Sequence, residues 1–216
     1  MVNHYLRLAW VSFRHNLVSS LVSIFTLALG LICFIVAGGI TLFWSSAENH
    51  FGNASRTVVI SSEWRLADGS QSSGVALPLT PHQLGPLLAI DFPQIETVAR
   101  VNPLGDTVPV RAEDRAVLMR AFAADAGFLS IFNLPFVQGD SRSALEAPHT
   151  AIITKEAAQI LYCDASAIGN IISFYESIDV TITGVIGRIP DPSHIGTSAA
   201  APLRFDLLVS RDVYEA

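Results

Sequence analysis

The hydrophobic pattern divides the chain at once. Leu17 to Trp44 is an uninterrupted run of 28 residues without a charge. As a helix it would extend about 42 Å, against a hydrocarbon core of about 30 Å. Sixteen of its residues are Leu, Ile, Val or Phe. At a few tenths of a kcal/mol each, they favour insertion by roughly 5 kcal/mol, with no central charge opposing. A cleaved signal peptide is the competing reading, with Ser45-Ser46-Ala47 as the cleavage site. Its apolar region would be about 7–15 residues, half the length found here. The pattern therefore predicts a retained transmembrane helix over 17–44. Before it, Leu6, Ala9, Trp10 and Phe13 recur at helical spacing among Arg7, Arg14 and His15. Residues 1–16 read as an amphipathic segment at the cytoplasmic interface, or as the frayed start of the same helix.

The polarity changes after Trp44, and the pattern shortens to strands and small helices. Residues 45–56 read as a link. Thr57 to Ser62 reads as a strand, and 67–74 as a loop. Thr80-Pro81-His82-Gln83 reads as a capped helix start, with the helix ending near Ile90. Strands are predicted over 95–101 and 107–111, broken by Asn102-Pro103 and Gly105, and over 116–123. Asp125 caps a short helix to Phe132, and Gln138-Gly139-Asp140 is a turn. A buried strand over 150–153 precedes a helix capped by Thr154 and running to Tyr162. Residues 170–175 and 178–186 form a hairpin, with Val180 and Ile182 alternating with Thr181 and Thr183. Residues 187–203 are loop-like, and a last strand spans 205–210. Strands and helices mix without strict alternation, so the domain over 57–216 is α+β.

One face of the long helix is patterned. Ser19, Ser23, Thr26, Gly30, Cys33, Ala37 and Thr41 line one side. Small side chains let backbones approach where lipid already solvates the large ones, so this stripe is read as a helix-packing face. No second apolar run in the chain approaches 18 residues, so the partner helices belong to other chains or to a part of the protein outside this sequence.

Charge orients the molecule. Two of the 13 basic residues, Arg7 and Arg14, precede the domain, and all 19 acidic residues lie from Glu48 onward. The positive-inside rule places the N-terminus in the cytoplasm and the acidic domain outside. An acidic domain with one lysine, Lys155, argues against nucleic acid as a partner. Cys33 and Cys163 form no disulfide framework, and Cys163 reads as a small buried residue. The chain has no P-loop, G-x-S-x-G or H-E-x-x-H motif. His4, His15, His50, His82, His149 and His194 stand singly. Asp191-Pro192-Ser193-His194 reads as a turn. No catalytic, cofactor or metal site is expected.

Several stretches in order resemble the MacB/FtsX-like permease family. They are LRLAWVSFRHNLVSSLVSIFTLALGL at the start, DFPQIETVARVNP at 91–103, AADAGFLSIFNLPFVQGD at 123–140, ALEAPHTAIITKEAAQILYCDASAIGN at 144–170, VTITGVIGRIPDPSHIG at 180–196 and FDLLVS at 205–210. Tyr162-Cys163 stands where the family commonly has Phe-Gly, and Ala167-Ile168-Gly169-Asn170 where it has Pro-Ile-Gly-Lys. The resemblance implies a MacB-like periplasmic core domain on a membrane helix of the bacterial inner membrane. It further implies a non-enzymatic permease component that works with a cytoplasmic ABC ATPase subunit. ATP would be bound by that subunit, and this chain would hold no cofactor. Homo-oligomerisation or a companion permease chain would supply the missing helices. Relatives continue into three further membrane helices; a truncated gene, a split permease or a fragment would account for their absence. The competing reading is a stand-alone membrane-anchored binding or sensing domain, or a degenerate remnant. The small-residue stripe favours the first reading and the missing helices the second.

Overall fold

A computed structural model describes residues 16–63, 79–163, 166–175, 177–196, 201 and 203–215. The expectations for residues 1–15 and for the 67–74 loop lie outside them. The chain divides into two compact units, Met1–Ala47 and Glu48–Ala216.

The first unit holds α1, Leu17–Ser45, which buries none of its residues. It is long and apolar enough to cross a membrane. A helix that is apolar on every side and covered by nothing suits lipid better than water.

The second unit is built on a mixed sheet. Its elements are α2 (Leu84–Asp91), β1 (Val101–Ala112), β2 (Arg115–Ala124), α3 (Gly127–Ile131), β3 (Phe136–Gly139), β4 (Thr150–Thr154), α4 (Lys155–Tyr162), β5 (Ile171–Phe174), β6 (Ile178–Ile186), β7 (Ile195–Gly196), β8 (Leu203–Arg204), β9 (Leu207–Ser210) and α5 (Asp212–Glu215). The sheet order is β3-β6-β4-β9-β2-β1-β5, and β5 also pairs with β6. The ladder therefore closes on itself through β6, β4, β9, β2, β1 and β5, which removes most open edges. Only β2–β9 and β4–β6 are parallel within it.

Strand alternation explains the two cores. Successive side chains point to opposite faces, and a register shift between Ile182 and Gly184 in β6 turns Ile182 and Ile186 to opposite sides. Ile153, Leu207, Val110, Met119, Phe174 and Ile182 meet Ala157 and Leu161 of α4 on one face. Ile152, Leu208, Phe122 and Ile186 meet Phe128 and Leu129 of α3 on the other. Central strands β4 and β9 are buried along their whole length. That is why TAIIT and LLVS read as continuous rather than alternating apolar runs.

Several expected elements appear as read. Thr154 caps α4, its hydroxyl accepting from the Ala157 N–H at 3.2 Å. The β5–β6 hairpin pairs in register from Ile171–Thr181 to Phe174–Ile178. Others differ. The expected strands over 95–101 and 107–111 resolve into one strand from Val101. It runs through Pro103 and Gly105 by shifting its register on either side of Gly105. Pro103 is tolerated because β5 pairs only with Val110 and Arg111, leaving the first half of β1 at an edge. Thr80 does not cap α2: the helix begins at Leu84, behind Gln83 and without a side-chain cap bond. The expected strand over 57–62 does not form: Thr57 is extended, at φ −97° and ψ 131°, but within the stretch only Ser62 takes part in a β-bridge. The loop-like stretch 187–203 contains β7, which pairs in parallel with β8.

Cys163 also differs. It is exposed, not buried, because it ends α4 in a left-handed conformation with φ 56°. Arg115 Nη1 reaches its Sγ at 3.0 Å and the Ile160 and Leu161 carbonyl oxygens at 3.1 Å, satisfying the end of the helix. Beside it, the Tyr162 hydroxyl is buried with no partner among the described residues. Burial raises its pKa, and the charge of Glu113 adds to that. Tyr162→Phe is expected to stabilise the domain by about 1 kcal/mol, since it removes an unsatisfied buried donor and keeps the ring. A chemical denaturation midpoint checks this.

Candidate functional site: the helix stripe and the joint at Glu48

The small-residue stripe is realised on α1. Ser19, Ser23, Thr26, Gly30, Cys33, Ala37 and Thr41 are all exposed. Three of its four hydroxyls are satisfied within the helix. Ser23 donates to the Ser19 carbonyl at 2.9 Å, Thr26 to Ser23 at 3.0 Å and Thr41 to Ala37 at 2.9 Å. Ser23, Thr26 and Thr41 can thus enter an apolar medium with their donors paired. A Cβ at Gly30 would meet nothing within 4 Å.

The second feature starts three residues beyond Ser45. Glu48 adopts φ 67°. Its N–H donates to the Pro192 carbonyl at 3.3 Å. Its carboxylate accepts from the His194 N–H at 2.6 Å and from the Ser193 hydroxyl at 3.2 Å. The His194 Nδ1 lies 2.8 Å from Glu48 Oε1. Ser193 Oγ in turn accepts from the Ile195 N–H at 3.1 Å, which fixes the hydroxyl toward Glu48. The 191–194 turn, legible only as a turn in sequence, is therefore the receptor for Glu48.

Aromatic packing extends the joint. Phe51 is buried, with its ring 5.2 Å from Phe132 and 4.0 Å from His50. Phe132 also meets His194 edge-on at 5.7 Å. Further on, Thr57 Oγ1 donates to the Asn53 carbonyl at 2.8 Å, and Arg56 pairs with Glu96. The stretch 45–56 is thus not a free link along its length. From Glu48 it belongs to the compact domain, because Phe51 enters the core and Glu48 satisfies the 192–194 backbone. Local pattern could not show this, since the partners lie more than 140 residues apart.

A third cluster was missed by sequence reading. Asp125 does not cap α3 with its carboxylate. It accepts from Arg100 N–H at 2.9 Å, Nε at 2.8 Å and Nη2 at 3.0 Å, and lies 3.5 Å from Arg211 Nε. Buried Arg211 also donates to Asn102 Oδ1 at 2.8 Å and meets His82 Nδ1 at 2.9 Å. These bonds tie the segment before α2 to the ends of β1, β2 and β9. Among the described residues no group of three or more His, Cys, Asp or Glu is placed to hold a metal.

A closed mixed sheet whose N-terminal segment is held by the 192–194 turn, preceded in sequence by a bare apolar helix, defines a class: an α+β domain that follows a helix long and apolar enough to cross a membrane. The family comparison gives the particular case. The family model described as the MacB-like periplasmic core domain matches residues 20–214, and the chain belongs to that family. Among solved structures, a domain of a protein described as a permease from Porphyromonas gingivalis aligns with TM-score 0.53 and 21% identity, covering 66% of this chain and 56% of that one. The extracellular domain of the noncanonic ABC-type transporter YknZ from Gram-positive bacteria aligns at 0.46 and 15%, covering 63% and 65%. The periplasmic region of MacB from Actinobacillus actinomycetemcomitans aligns at 0.42 and 8%, covering 60% and 56%. The chain spans less than two thirds of each of these. A sequence comparison with curated proteins finds no match.

Proposed function

We propose that this chain is a non-catalytic component of an ABC-type exporter or mechanotransmission permease. In this reading α1 crosses the bacterial inner membrane with the N-terminus in the cytoplasm and the core domain outside. A separate cytoplasmic ATPase subunit binds and hydrolyses ATP. The stripe on α1 packs against helices of a second copy or of a companion permease chain. Movement of α1 is delivered to the core domain, which acts on a substrate or an extracytoplasmic partner.

The observation that supports this most is the joint at Glu48. Only Ser46 and Ala47 separate the last helical residue from the first gripped one. Three Cα steps reach at most about 11 Å, so larger displacements of the helix end must move the domain or break the Glu48 bonds. Glu48→Ala is expected to cost about 2 kcal/mol, because it leaves the His194 N–H and the Ser193 hydroxyl without their charged acceptor. Thermal unfolding of the full chain in detergent measures it.

Purification of the full chain from its native membranes in mild detergent tests the reading itself. Co-purification of an ATPase subunit carrying a P-loop is the expected result. Recovery of the anchored chain with no ATPase would favour the stand-alone sensing domain instead.

A further inference from the structure

α2 turns an apolar face away from the domain. The helix reads LGPLLAID and buries only Gly85. A Cβ at Gly85 would lie 3.1 Å from the Arg100 Cδ and 3.3 Å from the Val98 Cγ1, so this side presses on the chain at 98–100. At about 100° per residue, Leu87 and Ile90 stand about 200° and 140° round from Gly85, on the opposite side. They are 52% and 75% exposed, and Phe92, just past the helix, is 51% exposed. An apolar face of this kind suits lipid or protein better than water.

Position and charge both favour lipid. The Val98 carbonyl oxygen would lie 3.1 Å from a Cβ at Gly127, the first residue of α3. Phe132, the residue that follows α3, packs on Phe51 and His194 of the joint at Glu48. One helix of five residues, about 8 Å long, therefore separates the support of α2 from the place where the chain arrives from α1. Charge points the same way. From Glu48 onward the chain has 19 acidic and 11 basic residues, so most of its surface is repelled by anionic headgroups. Leu79 to Ile90 carries no acidic or basic side chain apart from His82, and Asp91 closes the stretch. This is where the domain meets least repulsion on approaching a bilayer.

We propose that Leu87, Ile90 and Phe92 rest in the lipid interface beside the point where α1 emerges. This rests on α1 crossing the membrane, as in the function proposed above. The domain then meets the bilayer at two places, α1 and α2, and does not turn freely about Ser46 and Ala47.

Quenching by spin-labelled lipid tests this on the full chain. In a Cys33→Ser, Cys163→Ser background, an environment-sensitive fluorophore is attached at Ile90→Cys. The chain is reconstituted in phosphatidylcholine and phosphatidylglycerol vesicles that carry lipid spin-labelled near the headgroup. Quenching about threefold stronger than at Ile160→Cys is expected. Ile160 is similarly exposed, at 54%, but lies on α4, which packs on the other core. Adding Leu87→Glu should lower the quenching at position 90 about threefold, because a charge on this face opposes lipid contact. Native Cys33, labelled in a Cys163→Ser chain, is measured in parallel with lipid spin-labelled along its acyl chain. Quenching at Cys33, with position 90 no different from 160, would overturn the lipid contact and leave the membrane span standing. No quenching at Cys33 would overturn both. A fluorophore at position 90 that is shielded in native membranes but unquenched in the vesicles would show that a protein covers α2, and would also overturn the proposal.

Discussion

Gly139→Ala is expected to destabilise the core domain by about 4 kcal/mol. Gly139 ends β3 at φ +89°, where an L side chain is strained. Its Cβ would overlap the Thr183 carbonyl oxygen and lie 3.0 Å from the Gly184 Cα. Both are backbone atoms of β6, so no rotamer change relieves the clash. Either β3 leaves the sheet or β6 shifts, and β6 also holds β4 and β5. Left-handed strain of about 1–2 kcal/mol plus the steric displacement brings the expected loss to about 4 kcal/mol. Against a total stability of about 5–15 kcal/mol, that leaves a marginal domain. Limited proteolysis of the full chain in detergent should show the domain fragment cleaved much faster than in the unsubstituted chain. Gly169→Ala is the control. Its φ is similar at +85°, but its Cβ would meet nothing within 4 Å, so only the backbone strain remains. Its domain fragment should persist.

The second large effect is at Asp125. Removing its carboxylate takes one acceptor from three donors of Arg100 and one anion from beside Arg211, which is 8% exposed. Breaking a buried charge pair costs about 3–5 kcal/mol. The Asp125 and Arg100 side chains are 20% and 29% exposed, so water offsets part of this. Asp125→Ala is expected to destabilise by about 2–3 kcal/mol. Asp125→Asn retains one carbonyl acceptor and should lose less. A double-mutant cycle with Arg100→Ala, read by urea denaturation, should show coupling of about 1 kcal/mol or more. Additive losses would mean that the contact seen between them contributes nothing of its own.

What the sequence made legible was local. The α1 run, the Thr154 cap, the β5–β6 hairpin and the buried β4 strand each depend on residues within a turn or a few positions. What it hid was long-range or sterically unusual. Glu48 looked like part of a polar link because His194 lies 146 residues away. Asp125 looked like a helix cap, and nothing nearby marked Arg100 and Arg211 as its partners. Pro103 and Gly105 looked like a break because a register shift within a strand leaves the same residues as a turn. Cys163 looked like a core residue because its left-handed backbone is invisible in composition. The resemblance to permeases captured the order of segments, and therefore the family, without revealing which contacts grip the N-terminal segment.

Thiol topology tests the central claim most directly. That claim is a core domain held outside the cytoplasm by α1. Cys163 is exposed on the domain, and Cys33 lies within the apolar helix. A charged, membrane-impermeant maleimide is added to spheroplasts, and the full chain is recovered from carbonate-washed membranes. Labelling of Cys163 without lysis, absent in a Cys163→Ser chain, on protein that stays in the membrane pellet, is the predicted result. Labelling that requires lysis would put the domain in the cytoplasm. A domain released into the wash would show that α1 does not hold it. Either outcome would contradict the account.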